Sequence, residues 1–170
     1  MNLFLWGALP YIAFTFLIVG TLVRFFYFER NWTTKSSEFL EKKQLRIANP
    51  LFHFGLLCVI GGHVVGVLIP KTWTAAIGIN DHMYHEGALY MGAVAGIIFI
   101  VGFLLLMKRR FTVPAMKVNT SGLDKWLYLF LTLAIFSGMA GTLLNASGFF
   151  DYRVSIGPWF RSLISFMPDP

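Results

Sequence analysis

Apolar and polar positions are segregated along this chain into long blocks. Four stretches, 3–23, 49–69, 87–107 and 126–144, contain no Asp, Glu, Lys or Arg, and polar segments separate them. Each is close to the roughly 20 residues that an α-helix needs to cross a hydrocarbon core of about 30 Å. A helix is required there because lipid offers no partner to an open backbone N–H or C=O. The pattern predicts an all-α, polytopic transmembrane helix bundle of four spans, with residues 1–170 as one membrane domain. The first block lacks a basic leading region and a small-residue cleavage site, so it reads as a permanent span and not as a signal peptide.

The segments between the blocks carry their own signals. Arg24-Phe25-Phe26-Tyr27-Phe28 forms an aromatic cluster suited to a membrane interface. Residues 31–48 are mixed in charge, and Thr33 to Glu38 is expected to open a short surface helix. Asn49-Pro50 predicts a helix start, with Asn as the cap and Pro in the first turn, and Pro70 predicts its stop. The third span is rich in small residues at one end (Gly87, Ala88, Gly92, Ala93, Ala95, Gly96), which permits close helix contact. Ser121 and Asp124 resemble a capping box before the fourth span. Beyond Leu144, Pro158 and Arg161 interrupt the last apolar stretch, which is expected to lie on the outer membrane surface without crossing.

Charge sets an orientation. Of the chain's residues 56% are hydrophobic and only 13% charged, against about 25% charged in a soluble domain. The net charge of +6 comes mostly from two segments. Arg24, Arg30, Lys35, Lys42, Lys43 and Arg46 flank or fill the first loop, and Lys108, Arg109, Arg110, Lys117 and Lys125 the third. By the positive-inside bias, loops 24–48 and 108–125 face the cytoplasm and the N-terminus lies outside. This placement favours membrane lipid or a cytoplasmic subunit as the basic segments' partner, and not nucleic acid. The expected location is the cell (plasma) membrane.

The second block holds two histidines, His53 and His63. An imidazole inside a span is costly and marks a functional site unless it packs as a buried, hydrogen-bonded group against a neighbouring helix. Ten residues separate the two backbones by about 15 Å along the axis and leave the side chains within roughly 80° of each other. Both can therefore face a bundle interior at different depths, an arrangement that suits two stacked haems and does not suit one metal ion. Gly55, Gly61, Gly62 and Gly66 surround them. Helix packing and the approach of a flat macrocycle each explain such glycines. The one cysteine, Cys58, excludes an internal disulfide and an iron–sulfur cluster held by this chain alone. It is expected to be a small core residue. In the second loop, 70–86, Asp81-His82-Met83-Tyr84-His85-Glu86 reads first as interfacial packing, second as a quinol-type site and third as a metal cluster.

The run LFHFGLLCVIGGHVVGVLIP, preceded by WTTKSSEFLEKK and followed by DHMYHEGALYMG, KRRF, FDYR and GPWFR, resembles the gamma subunit of respiratory nitrate reductase along essentially the whole chain. The resemblance implies a five-helix membrane cytochrome b with two b-type haems that oxidises menaquinol or ubiquinol on the outer side. It implies electron transfer to an iron–sulfur beta subunit and then to a molybdenum alpha subunit that reduces nitrate to nitrite in anaerobic respiration. His53 resembles an axial ligand of the haem iron nearer the cytoplasmic partner and His63 that of the haem nearer the quinol, with Gly62 beside the macrocycle. The implied quinol neighbourhood contains Tyr84, His85 and Glu86. Some members of the family place a lysine there, and this chain has none between Lys71 and Lys108. The family's fifth helix, which brings the second axial ligand of each haem, is expected to be missing. Two other functions fit the residues: a cytochrome b anchor of a different respiratory reductase, and a non-catalytic membrane anchor whose histidines only pack.

Overall fold

The computed structural model describes residues 3–28, 38–149 and 151–168. Among them every regular element is helical. A π-helical turn, Phe4–Ala8, leads into α1 (Leu9–Tyr27), followed by α2 (Lys43–Leu68), α3 (Lys71–Ala76), α4 (Asp81–Thr112), α5 (Pro114–Val118), α6 (Gly122–Ala146) and α7 (Tyr152–Ile164). Four helical stretches, Phe4–Tyr27, Lys43–Leu68, Asp81–Thr112 and Gly122–Ala146, are long and apolar enough to cross a membrane. Together these features make the chain an all-α, multi-pass membrane protein. The surface helix expected from Thr33 lies largely outside the described residues.

The chain divides into two compact units, Met1–Ser36 with Pro158–Pro170, and Ser37–Gly157. In the first, α1 and the second half of α7 are joined by polar groups on aromatic rings. The Tyr11 hydroxyl donates to the Leu163 carbonyl at 2.8 Å, and Trp159 Nε1 donates to the Trp6 carbonyl at 2.8 Å. The Trp6 and Trp159 rings meet edge to face, and Tyr11 stacks on Phe166.

The second unit is built on an antiparallel pair, α2 and α4. A Cβ placed on Gly55 of α2 would lie 2.5 Å from the Phe99 backbone nitrogen of α4, and one placed on Gly102 of α4 would run into the Phe52 backbone of α2. Each helix thus offers one glycine to one phenylalanine of the other, and the two phenyl rings pack at 5.2 Å. Missing side chains let the two backbones touch, the main source of helix adhesion where lipid removes the hydrophobic driving force. The close contact falls at Gly102, not in the small-residue end of α4, where Gly87, Gly92 and Gly96 face open space.

Local chemistry sets the helix ends. Ser121 and Asp124 form the expected capping box: Ser121 N donates to Asp124 Oδ2 at 2.8 Å and Asp124 N to Ser121 Oγ at 3.2 Å. Asn80 caps α4 by accepting from Met83 N at 2.8 Å, so the third span begins at Asp81 and absorbs the end of the expected loop. Gly78 and Gly148, at φ of +82° and +73°, end α3 and α6 in the left-handed conformation that glycine adopts without steric cost.

The start of α2 corrects the sequence reading. The helix begins at Lys43, and Pro50 lies inside it. Lys42 is the N-cap, and the carboxylate of Glu41 just before it accepts from Gln44 N of the first turn at 2.8 Å. Hydropathy locates the apolar window, but the hydrogen-bond ladder runs on through the polar residues before it. Most large apolar side chains of the spans are exposed, and α6 buries none of its residues. Such surfaces are stable against lipid tails, which are as apolar as they are.

Candidate functional site

His53 and His63 sit on α2 in the same local arrangement. His53 Nδ1 lies 2.9 Å from the Asn49 carbonyl and His63 Nδ1 lies 2.7 Å from the Val59 carbonyl, each four residues back. A carbonyl oxygen only accepts, so Nδ1 carries the proton in both rings. In the neutral ring Nε2 is then the lone-pair nitrogen, the form of histidine that binds a metal, with its ring oriented by the bond on the other side. Both histidines are exposed.

The seam with α4 is made by Phe52 and Gly55 and not by either ring. Nor is either a buried imidazole bonded to a neighbouring helix, since each Nδ1 bonds its own helix. The glycines also separate into two classes. Gly55 and Gly66 are filled by neighbours, the Phe99 backbone and the Tyr152 ring, whereas Gly61 and Gly62 beside His63 have nothing within 4 Å of a Cβ. Cys58 is exposed as well and is not a core residue. Two preset imidazoles, one of them flanked by bare glycines, fit a flat iron-bearing macrocycle in their donor chemistry. A single ion is excluded as their shared ligand by the axial distance of about 15 Å. Among the described residues no three His, Cys, Asp or Glu side chains gather into a metal cluster.

The end of α2 and the beginning of α4 meet the chain again at Asp151-Tyr152-Arg153. Lys71, Asp81, Tyr84, His85, Asp151, Tyr152 and Arg153 line a cleft there. Arg153 is its hub. The guanidinium lies 3.7 Å above the Tyr84 ring centroid, donates through Nη2 to Thr74 Oγ1 at 3.1 Å, and reaches Asp81 Oδ1 from Nη1 at 3.5 Å. Lys71 Nζ bridges Asp151 at 3.0 Å and Asp81 at 3.5 Å. Burial pushes the Asp151 carboxyl up, but the Lys71 ammonium and the Arg153 and Val154 amides outweigh it and hold it below the ordinary carboxylate range. The Tyr152 phenol is pushed up to about 12 by burial and by its neighbour Tyr84.

The six-residue cluster read from the sequence is therefore split. Tyr84 and His85 enter the cleft, whereas Glu86 pairs instead with His82, at 3.9 Å. Ion pairing and packing of the helix corner dominate, and the metal reading is not met. Asp151, Tyr152 and Arg153 went without a role in the sequence, although FDYR was among the runs that carried the resemblance.

At the opposite end of α2 and α4, Arg109 holds the loop residue Glu41. Nε donates to Glu41 Oε2 at 2.8 Å and Nη2 to the Glu41 carbonyl at 2.7 Å. The Gln44 amide and this guanidinium keep the Glu41 carboxyl below its ordinary range against a smaller opposing effect of burial. Beside it, Arg110 pairs with Asp124 at 2.7 Å and ties α6 to α4.

Comparisons with known proteins agree with this architecture. The family model described as nitrate reductase gamma subunit matches residues 2–170. The nitrate reductase gamma chain of Bacillus subtilis (strain 168) is 46% identical over 166 residues, covering 97% of this chain and 74% of that one. A nitrate reductase-like protein of Mycobacterium tuberculosis (strain ATCC 25618 / H37Rv) is 40% identical over 166 residues, 96% of this chain but 26% of that protein. The respiratory nitrate reductase 1 gamma chain of Escherichia coli (strain K12) is 31% identical over 143 residues, 84% of this chain and 62% of that one. With four apolar helices and a family match along nearly its whole length, this multi-pass membrane chain belongs to the nitrate reductase gamma subunit family.

Proposed function

We propose that the chain is the quinol-oxidising cytochrome b subunit of a nitrate reductase complex, with His53 and His63 each supplying one axial ligand to a b-type haem. The observation that carries this reading is the shared arrangement of the two rings: each exposed, with Nδ1 bonded to a carbonyl of α2. A histidine kept for packing would be buried and bonded across helices. When bound, the haems would supply one-electron transfer between a quinol and an iron–sulfur beta subunit, which serves a molybdenum alpha subunit reducing nitrate to nitrite.

The chain's own residues divide the work. The backbone carbonyls of Asn49 and Val59 set the tautomer and plane of the rings. Gly62, with no side chain and no neighbour, leaves room beside His63. Menaquinol or ubiquinol enters at the end of α4 that carries Tyr84 and His85, away from the basic segments. By the positive-inside bias that end is outside, in a plasma membrane, and loops 24–48 and 108–125 are cytoplasmic. The basic segments then face the soluble subunits.

The test uses the assembled complex in membranes. His53→Ala and His63→Ala should each halve the b-type haem measured as the pyridine haemochrome, and nitrate should reoxidise quinol-reduced haem in the native complex. Unchanged haem content in both variants, or quinol-reduced haem that nitrate leaves reduced, overturns the proposal.

A further inference from the structure

We infer that Phe52 is a positioning residue for His53. Its ring, held in the seam between α2 and α4, keeps the imidazole in the plane from which Nε2 ligates the haem iron. The inference rests on the axial role proposed above for His53 and goes beyond it, assigning the orientation of that ligand to a side chain of the helix seam.

The two histidines share one hydrogen bond, from Nδ1 to the carbonyl four residues back. They differ in the residue that precedes them. Before His53 stands Phe52, whose ring centroid lies 5.1 Å from that of the imidazole with the planes 86° apart. Before His63 stands Gly62, which has no side chain to offer. Edge-to-face contact at this distance is a favoured geometry of aromatic pairs. A hydrogen bond is broad in angle at a carbonyl oxygen, so it tolerates tilting of the ring that donates it. A second ring at right angles to the first resists that tilt.

Phe52 can act as a buttress because it is itself fixed. Its backbone lies in the space that a Gly102 side chain would need, where a Cβ would run into Phe52 N and Cα. Its ring packs on Phe99 at 5.2 Å and on Phe103 at 6.4 Å, both of them buried. Phe52 thus joins two buried rings of α4 to an exposed imidazole of α2. Contacts of this kind orient a ligating histidine and tune the metal that it holds. Because Gly62 supplies no such contact to His63, the seam should govern one haem site and not the other.

The experiment uses the complete membrane-bound complex and reads electron paramagnetic resonance of the oxidised haems, with a redox titration of each. Phe52→Leu keeps an apolar side chain in the seam and removes the ring. The low-spin signal that His53→Ala abolishes should broaden and shift in Phe52→Leu, and the midpoint potential of that haem should move with it. The signal that depends on His63 should stay as in the native complex, which a general loosening of the bundle would not allow. Phe52→Tyr keeps the ring and should leave both signals unchanged. An unmoved His53-dependent signal in Phe52→Leu, equal shifts in both signals, or the same shift in Phe52→Tyr overturns the assignment and leaves the proposed function standing. Should Phe52→Leu fail to assemble, Phe52→Met, whose flexible chain fills irregular gaps, is read in the same way. Failure of both means that the ring serves only the seam, and likewise overturns the assignment. Two haem signals that survive both His53→Ala and His63→Ala overturn the proposed function and this inference with it.

Discussion

Gly55 of α2 lies so close to Phe99 of α4 that a Cβ on the glycine would fall 2.5 Å from the phenylalanine's backbone nitrogen. Backbone, and not a flexible side-chain end, occupies the space, so any substitution must push the helices apart. The reciprocal contact of Gly102 with the Phe52 backbone makes the seam doubly sensitive.

Gly55→Ala is expected to destabilise the protein despite the gain of about 1 kcal/mol that alanine brings to a helix interior. Overpacking of a close contact costs about 1–3 kcal/mol, and a backbone clash lies at the upper end of that range. Gly96→Ala meets nothing within 4 Å and should leave the thermal midpoint equal or slightly raised. Denaturation of the two variants in the same detergent measures the contrast. Equal loss in both would mean that the seam does not decide stability.

Glu41 should contribute a pH-dependent part of the stability. Its carboxyl is held below the ordinary range by the Gln44 amide and Arg109, so the native state favours the ionised form. That contribution is complete above the ordinary carboxylate value. It is lost as the pH falls through the lowered native one. The thermal midpoint of the native protein should therefore drop on acidification more steeply than that of Glu41→Gln, and at neutral pH the variant should melt lower. Parallel midpoint curves would refute this.

Ser121→Ala removes one half of the capping box of α6 and should cost about 1 kcal/mol. Arg110 still pairs with Asp124 in that variant, so the loss isolates the hydroxyl. Chemical denaturation followed by circular dichroism is the measurement. Ser121→Asn, which also caps, should restore most of the difference.

Cys58 is exposed in the chain but sits midway along a helix apolar enough to span a membrane. A charged, water-soluble reagent does not enter the hydrocarbon core that such a helix crosses. A water-soluble maleimide should leave Cys58 unlabelled in intact membranes and label it after solubilisation in sodium dodecyl sulfate. Rapid labelling in intact membranes would place that stretch of α2 against water.

What could be read without coordinates was what depends on neighbours in the chain. The four spans are sums of local hydropathy, and a continuous apolar run has few alternatives to a helix in lipid. The Ser121–Asp124 box is an i, i+3 relation, so it too was legible, as was the stop at Pro70. His53 and His63 were conspicuous because an imidazole in an apolar span is rare on energetic grounds. Whether they packed or stood free was not legible, since that depends on which face of α2 meets α4.

Tertiary structure decided the rest. It sorted the glycines, giving Gly55 and Gly66 to protein neighbours and leaving Gly61 and Gly62 bare. It began α2 at Lys43, just after Glu41, whose carboxylate accepts from the first-turn amide of Gln44 and is held by an arginine 68 residues away. It put Asp151, Tyr152 and Arg153 beside Lys71, Asp81 and Tyr84, and sent Glu86 elsewhere. Such contacts join residues some 70 to 80 positions apart. Periodicity and hydropathy are sums over one turn or one span and hold no information about which helix ends converge, so only the packed helices brought the cleft into being.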